Sequence, residues 1–365
     1  RRVLFRSYTL VFRPIDTPPQ AYDAPAVRQD TGAAQTALAA DDKGMLDLGE
    51  YQNVDCIRAR DGLVYAAACD GAALKKCSSD LVRTDGGHTA AVLTVDGELT
   101  GFAFDGSGDL WLSILTPGGG SLCRAAHDSW GTAVEQVVTQ IDGAPLGAVS
   151  AVEAAPDGRI YFAVAAAAGA ADGLESTLRT ELLAHTGTGC VYVYDPAARS
   201  VQKVLGGVAG AAGLALSPDG STLYVSDLAN RCVWRVSADA QDLTAGGKNC
   251  SSLVSGLPGY PGALAMDPDG TLYIGYRWAR SSWLEKNAGS TLLRGIALRA
   301  GRNLQEKLFS LPADAPCTEA VDTADGSWQR VVSGRGAGSV TALCPVESRL
   351  YLGLAGSEKV RSANL

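Results

Sequence analysis

A short pattern, a tight turn followed by an apolar strand that carries one aromatic residue, recurs six times along this chain of 365 residues. The fullest copy spans residues 213–236, where a Ser-Pro-Asp-Gly turn separates two strands and a third strand ends the copy. In that turn proline presets φ, aspartate bonds its own backbone and glycine accepts a positive φ. Because three short strands cannot bury both of their faces alone, the copies have to pack against one another.

The spacing of the copies predicts the fold class. Their aromatic residues are 46, 50, 63, 49 and 78 positions apart. The short separations match a four-stranded propeller blade, and the long ones predict blades with insertions. We therefore expect an all-β, six-bladed β-propeller over residues 43–365, the alternative being a β-sandwich in which the Asp-Gly turns recur by chance. The six aromatic residues are Tyr65, Trp111, Tyr161, Tyr224, Tyr273 and Tyr351.

The first interruption of the pattern has the spacing of a helix. Residues 172–185 place three leucines on one face, which predicts a helix inserted within blade 3 that lies across a rim of the ring. On the channel side such a helix would act as a lid. His185 ends the helix and is a candidate catalytic general base; alternatively it interacts with the helix dipole and with Glu181. The leucines are Leu174, Leu178 and Leu182.

The second interruption follows Tyr273, and we expect its helical insertion between blades 5 and 6. Arg277 and Trp278 lie in a locally basic and aromatic stretch of an otherwise acidic chain. This stretch fits the mouth of a pocket, an anion-binding surface or a surface that rests on a membrane. The alternative is a solvated edge whose aromatic side chains cover the ring.

The composition limits the classes of partner that this chain can bind. The formal net charge of -8 argues against nucleic acid. Residues 1–42 are rich in proline, alanine and aspartate and predict a partly disordered tail. The chain begins with Arg1 rather than Met, so we keep open an association with membranes through a preceding anchor, and we expect a monomer.

The cysteines favour an oxidising compartment. Nine are present, and Cys69 with Cys77, and Cys232 with Cys250, lie near turns at separations that suit disulfides. Asn249 also begins a glycosylation sequon. We therefore expect a secretory or extracellular protein; the alternative is that these cysteines are small core residues.

Several segments together resemble the strictosidine synthase-like family, and the likeness extends over residues 45–365. They are residues 182–196, 213–220, 257–262, 339–341 and 350–354. The resemblance implies a six-bladed propeller related to gluconolactonases and paraoxonases. Members of these families condense an amine with an aldehyde or hydrolyse lactones and esters.

The residues that carry out this chemistry in the family are mostly replaced here. The resemblance implies a calcium ion held by Glu, Asn and Asp at the heads of the inner strands, since calcium prefers hard oxygen ligands. In this chain those positions fall at Ala212, at Ser150 and Ala151, at Gly262 and Ala263, and near Asn53, Val54 and Asp55. The glutamate of the condensing members falls at Ala342. The resemblance thus leaves calcium as a cofactor with few ligands, and we assign no metal ligand.

Two functions remain open. The first is a propeller that binds a small organic molecule in the mouth of its channel, with the family's catalytic residues replaced. The alternative is a calcium-dependent lactonase or arylesterase. The candidate catalytic residues are Asp55, Glu153 and His185, and the candidate ligand-binding residues are Asn53, Ser150, Arg277 and Trp278.

Overall fold

Six sheets of mainly antiparallel strands form a closed ring in the computed structural model. It describes residues 14–28, 41–47, 53–69, 74, 77–84, 89–309, 311, 318–332, 339–357 and 359–365. The strands are β1 (Asp41–Asp47), β2 (Asn53–Arg60), β3 (Leu63–Cys69), β4 (Ser78–Thr84), β5 (Thr89–Asp96), β6 (Glu98–Phe104), β7 (Leu110–Thr116), β8 (Gly119–Ala125), β9 (Glu135–Val138), β10 (Gln140–Ile141), β11 (Ala144–Pro145), β12 (Val149–Ala154), β13 (Ile160–Val164), β14 (Gly189–Asp195), β15 (Ser200–Val208), β16 (Ala211–Leu216), β17 (Thr222–Asp227), β18 (Cys232–Ser237), β19 (Leu243–Thr244), β20 (Ser251–Val254), β21 (Gly259–Met266), β22 (Thr271–Ala279), β23 (Thr318–Asp322), β24 (Trp328–Val332), β25 (Val340–Val346), β26 (Arg349–Leu354) and β27 (Lys359–Asn364). The α-helices are α1 (Leu174–Ala184), α2 (Ser282–Lys286), α3 (Thr291–Arg299) and α4 (Arg302–Leu308).

Each sheet is one blade. Blade 1 contains β2–β5, blade 2 contains β6–β9 and blade 3 contains β12–β15 with β19 added at its edge. Blade 4 contains β16, β17, β18 and β20, blade 5 contains β21–β24, and blade 6 contains β25, β26, β27 and β1. The first strand of each blade, here called the inner strand, contacts the inner strand of the next blade, and β25 contacts β2. The predicted six-bladed propeller is therefore confirmed.

The first and the last strand of the described chain share blade 6. Strand β1 pairs with β27, with Leu46 opposite Val360, so the ring is closed by main-chain hydrogen bonds between distant segments. The six predicted aromatic residues all lie on the second strand of their blades. Tyr65, for example, packs in one cluster with Phe102 and Leu112 of blade 2. The aromatic residue thus fills the space between neighbouring blades, which explains why the copies need one another.

The predicted position is right for the first helical insertion and wrong for the second. Helix α1 lies between β13 and β14 of blade 3, as predicted, and its three leucines are buried. Helices α2–α4 follow β22 but precede β23 and β24, which complete the same sheet. The second insertion therefore lies within blade 5, and its expected place between blades 5 and 6 is wrong. The reason is that three helices separate β22 from β23, and the Asp325-Gly326 turn before Trp328 joins β23 to β24 and does not begin a new blade.

Residues 14–28, here called the N-terminal segment, lie against the helices. The amide of Gln20 donates to the Ala184 carbonyl at 2.7 Å, and the amide of Arg28 donates to the Gly256 carbonyl at 2.8 Å. The buried Arg294 guanidinium donates to the carbonyls of Leu183 and Gln20. This part of the predicted tail is thus packed on the propeller, and most of the remaining residues of 1–42 lie outside the described residues.

The expected disulfides are not formed. Neither Cys69 with Cys77 nor Cys232 with Cys250 is joined by a disulfide in the structure, and all four side chains are buried. They behave as the small core residues of the alternative interpretation. In the described part of the chain, no helix has both the length and the apolar character that crossing a bilayer requires.

Candidate functional site at the channel mouth

The axis of the ring is nearly filled. The cavity that remains there, here called the inner cavity, has a volume of 30 Å³, about the volume that one water molecule occupies in the liquid. Backbones approach closely around it: a Cβ added to Gly213 of blade 4 would lie 2.3 Å from the Gly262 carbonyl oxygen of blade 5. A molecule that enters one end of the channel therefore cannot pass to the other.

Hydroxyl groups join the inner strands of neighbouring blades. The Thr100 hydroxyl donates to the Val149 carbonyl at 3.1 Å, and the Ser150 hydroxyl donates to the Ala211 carbonyl at 2.6 Å. The Thr341 hydroxyl likewise donates to the carbonyl of Val54. Ser150, predicted as a ligand-binding residue, thus lines the inner cavity and uses its hydroxyl to hold blade 3 to blade 4.

A larger cavity of 230 Å³ lies at one end of the channel, here called the upper mouth. Its lining combines the heads of inner strands with the start of α1 and the first residue of α4. The side chains that argue for a site are Asn53, Asp55, Glu98, Glu175, Arg277 and Arg302. Three of the seven predicted site residues, Asn53, Asp55 and Arg277, are brought together here.

Asp55 and Arg277 form a nearly buried ion pair at this mouth. An Nη atom of Arg277 lies 3.5 Å from an Oδ atom of Asp55, and the two side chains are 8% and 10% exposed. Burial raises the pKa of the Asp55 carboxyl, and the positive charge of Arg277 opposes that rise. Arg277 reaches the axis from β22, the second strand of blade 5, rather than from an inner strand.

Glu98 stands beside this pair at the N-terminus of α1. It is the first residue of inner strand β6, and its carboxylate accepts a hydrogen bond from the Leu174 amide at 3.0 Å. Burial, together with the nearby charge of Asp55, raises the pKa of Glu98 to about 7. Near neutral pH this carboxyl therefore exists in both protonation states, which suits either donation or acceptance of a proton.

Helices α1 and α4 cover the upper mouth. Glu175, in the first turn of α1, pairs with Arg302 at the start of α4 at 2.9 Å. Both side chains are exposed, so this ion pair contributes little stability and can open at small cost. The lid-like position expected for the first insertion agrees with this arrangement.

Glu153 lies at the other end of the channel. Its carboxylate pairs with Arg58 of blade 1, and both residues line a separate cavity of 330 Å³, here called the lower mouth. Burial raises the pKa of Glu153 and the charge of Arg58 opposes that rise. The structure therefore does not bring Glu153 together with Asp55.

His185 and Trp278 do not line the upper mouth either. The His185 ring stacks on Tyr22 of the N-terminal segment with 3.7 Å between ring centroids. Burial and the neighbouring Arg294 lower the pKa of His185 to about 4, so the ring is neutral near pH 7. Its amide donates to the Glu181 carbonyl at 2.7 Å and ends α1. Trp278 is buried beside Arg179.

Glu98 is the site residue that the sequence analysis missed. Asn53 and Glu98 are each the first residue of an inner strand, so a polar residue at that position was the available signal. In sequence Glu98 follows a turn glycine, where an exposed glutamate is ordinary. Its role depends on the insertion in blade 3, whose first turn comes from 76 residues further along the chain.

The residues present do not fit a calcium site. At the positions that the resemblance implies, Ala151, Ala212 and Ala263 offer methyl groups and Gly262 offers no side chain. The hydroxyl of Ser150 is bonded to a carbonyl, and the carboxylate of Asp55 faces Arg277. Among the residues that the structure describes, no group of three or more His, Cys, Asp or Glu side chains could hold a metal ion.

Comparison with known proteins supports the fold and a broad family likeness. Residues 124–282 match the family model described as the SMP-30/Gluconolactonase/LRE-like region. A gluconolactonase from Xanthomonas campestris is similar in structure, with a TM-score of 0.60 and 17% identity over 97% of this chain and 99% of that one. No curated protein matches the chain by sequence.

Two further structures agree. A calcium-binding protein, regucalcin, from Agrobacterium tumefaciens has a TM-score of 0.56 and 14% identity over 90% of this chain and 95% of its own. A luciferin-regenerating enzyme has a TM-score of 0.55 and 16% identity over 86% and 91%. At such identities the likeness shows the six-bladed fold and no activity. The matches support the gluconolactonase-like side of the resemblance, and the strictosidine synthase-like branch stays a prediction.

Proposed function

We propose that this protein binds a small polar organic molecule in its upper mouth. The observation that carries the proposal is a cavity in which Asp55, Glu98 and Arg277 converge beneath the first turn of α1. Concave sites with a few convergent polar groups are the usual form of small-molecule sites. The volume of 230 Å³ corresponds to about eight water molecules. The ligand is accordingly small.

The charges of the mouth indicate which ligand groups fit. Asp55, Glu98, Asp172 and Glu175 line the cavity with only two arginines among its lining residues. Carboxylates accept hydrogen bonds, so hydroxyl or ammonium groups on the ligand are favoured. Because Glu98 has a pKa of about 7, a cationic ligand displaces its proton and should bind more tightly as the pH rises through 7.

Hydrolysis of a small lactone or ester is the second candidate. The match of residues 124–282 to the gluconolactonase-like family favours it, and a carboxyl with a pKa near 7 suits a general base. In this scheme Glu98 takes a proton from water as the water oxygen bonds to the carbonyl carbon. Arg277 stabilises the resulting oxyanion, and Glu98 returns the proton to the leaving oxygen when the ester bond breaks.

The test is a binding and turnover screen with matched variants. Small amines, polyols and lactones are titrated calorimetrically into wild type, Asp55→Asn, Glu98→Gln and the control Glu135→Gln, an exposed position on β9. Loss of one charged hydrogen bond should weaken binding about tenfold or more in the two mouth variants and leave the control unchanged. Equal affinity in all four proteins would remove the upper mouth as the site.

The same screen separates the two candidates. Release of acid from a lactone by wild type, abolished in Glu98→Gln, supports hydrolysis. Binding of a ligand that is recovered unchanged supports a binding protein. Turnover that persists in Glu98→Gln would refute the catalytic role of this carboxyl.

A further inference from the structure

The upper mouth already contains a cation. Arg277 lines the cavity and faces Asp55 at 3.5 Å, and both side chains are almost fully removed from solvent. A carboxylate buried to this degree needs a positive partner, since an isolated buried charge is costly. In this chain the partner is a guanidinium that the fold itself supplies.

A glycine lies beside the base of the Arg277 side chain. A Cβ added to Gly262, on the inner strand of the same blade, would lie 3.3 Å from the Cβ of Arg277. That approach is tighter than ordinary van der Waals contact, so a larger side chain at 262 would push against the base of Arg277. Gly262 is also one of the positions where the resemblance implies an oxygen ligand. The absence of an oxygen ligand at position 262 and the presence of an arginine at position 277 therefore belong to the same local arrangement.

We infer that Arg277 is the permanent cation of the upper mouth and takes the electrostatic role that a divalent metal ion would otherwise have beside Asp55. The site therefore assembles without calcium, and its ligand meets a planar set of N–H donors instead of a metal ion. The inference rests on the proposed function only in taking the upper mouth as the ligand site.

The first arm of the test measures melting temperature with EGTA and with millimolar CaCl2. A site that binds calcium at one hundred times its Kd would raise the melting temperature of a chain of this size by about 3 °C. We expect no such rise for wild type. A calcium-dependent rise would overturn the inference.

The second arm removes the guanidinium. Arg277→Met leaves Asp55 buried without its partner, and we expect the melting temperature to fall by about 4–6 °C. Adding Asp55→Asn to Arg277→Met removes the charge that needs the cation and should recover most of this loss. The control is Arg280→Met, because Arg280 pairs with Glu285, and Asp55→Asn should give no recovery there.

Each outcome decides the inference. Recovery confined to the Arg277→Met background supports it, whereas equal effects of Asp55→Asn in both backgrounds refute it. If Arg277→Met does not fold, folding of the double variant supports the inference and failure of both contradicts it. Because the assay contains no organic ligand, its failure would leave the proposed binding function standing, and a failed ligand screen would leave this result standing.

Discussion

Replacing Glu98 with glutamine should make the protein more stable at alkaline pH and leave its stability nearly unchanged at acidic pH. The folded state raises the pKa of Glu98 from the ordinary 4.5 to about 7. Between these values the folded protein therefore holds more protons than the unfolded chain, so stability falls as the pH rises through this window. Above pH 7 the full cost of the buried charge is present.

The magnitude follows from the same two values. At 1.36 kcal/mol for each pH unit, a rise from 4.5 to about 7 corresponds to about 3 kcal/mol. This is an upper value for Glu98 alone, since Asp55 contributes to the rise. Glutamine keeps an oxygen that can accept the hydrogen bond from the Leu174 amide, so the variant removes the charge with little other change.

Urea denaturation of wild type and Glu98→Gln at several pH values measures the effect. The difference in free energy of unfolding should be near zero at about pH 4 and reach about 2–3 kcal/mol in favour of the variant at about pH 8. Taking the difference between the two proteins cancels the contributions of other buried carboxyls to the pH dependence. One of these is Glu181, because burial also raises its pKa to about 7. The exposed control Glu135→Gln should not gain stability of this size over the same range. A Glu98→Gln variant whose relative stability is constant across this range would refute the reasoning.

Two further substitutions test what stabilises the ring and what holds its N-terminal segment in place. Arg294→Met should lower the free energy of unfolding by about 3 kcal/mol, because the fully buried guanidinium donates to the carbonyls of Leu183 and Gln20. The variant should also expose the N-terminal segment to proteolysis, and unchanged cleavage would contradict this. Arg58→Met should lower the free energy of unfolding, measured by urea denaturation, by about 1–3 kcal/mol, since the ion pair with Glu153 is partly exposed. Adding Glu153→Gln should restore most of this loss. A double variant as unstable as the single one would show that the ion pair is not responsible.

The blades were predictable because their signal is local. A tight turn, which is Asp-Gly in five of the six copies, and the apolar strand with its aromatic residue lie within a dozen positions, and each copy occupies the same place in its blade. Strands β23 and β24 are separated from β22 by three helices, and the Asp325-Gly326 turn before Trp328 lies between these two strands and not at the start of a blade. They belong to blade 5 through a long-range strand pairing, in which Tyr273 lies opposite Ala320, and no local sequence pattern indicates this pairing.

The site was predictable only in part, for a geometric reason. Register along an inner strand decides which mouth a side chain belongs to. Ser150 and Glu153 are three residues apart, which in a strand is about 10 Å. Ser150 lines the inner cavity and Glu153 the lower mouth. Arg277 lines the upper mouth from β22, and the close approach of Gly262 to its Cβ is a contact across strands that sequence does not show.

The sealed channel limits the chemistry that this protein can perform. Strand β2 carries opposite charges toward its two ends, and Asp55 pairs at the upper mouth with Arg277 while Arg58 pairs at the lower mouth with Glu153. The cavity on the axis between them has a volume of 30 Å³. A ligand in the upper mouth therefore cannot contact Glu153, and the neutral ring of His185 lies outside the residues that line either mouth. If the protein is a hydrolase, proton transfer in the upper mouth is carried by the carboxyls that line it, with Glu98 as the proposed base, so the pH dependence of turnover should change in Glu98→Gln and not in His185→Gln.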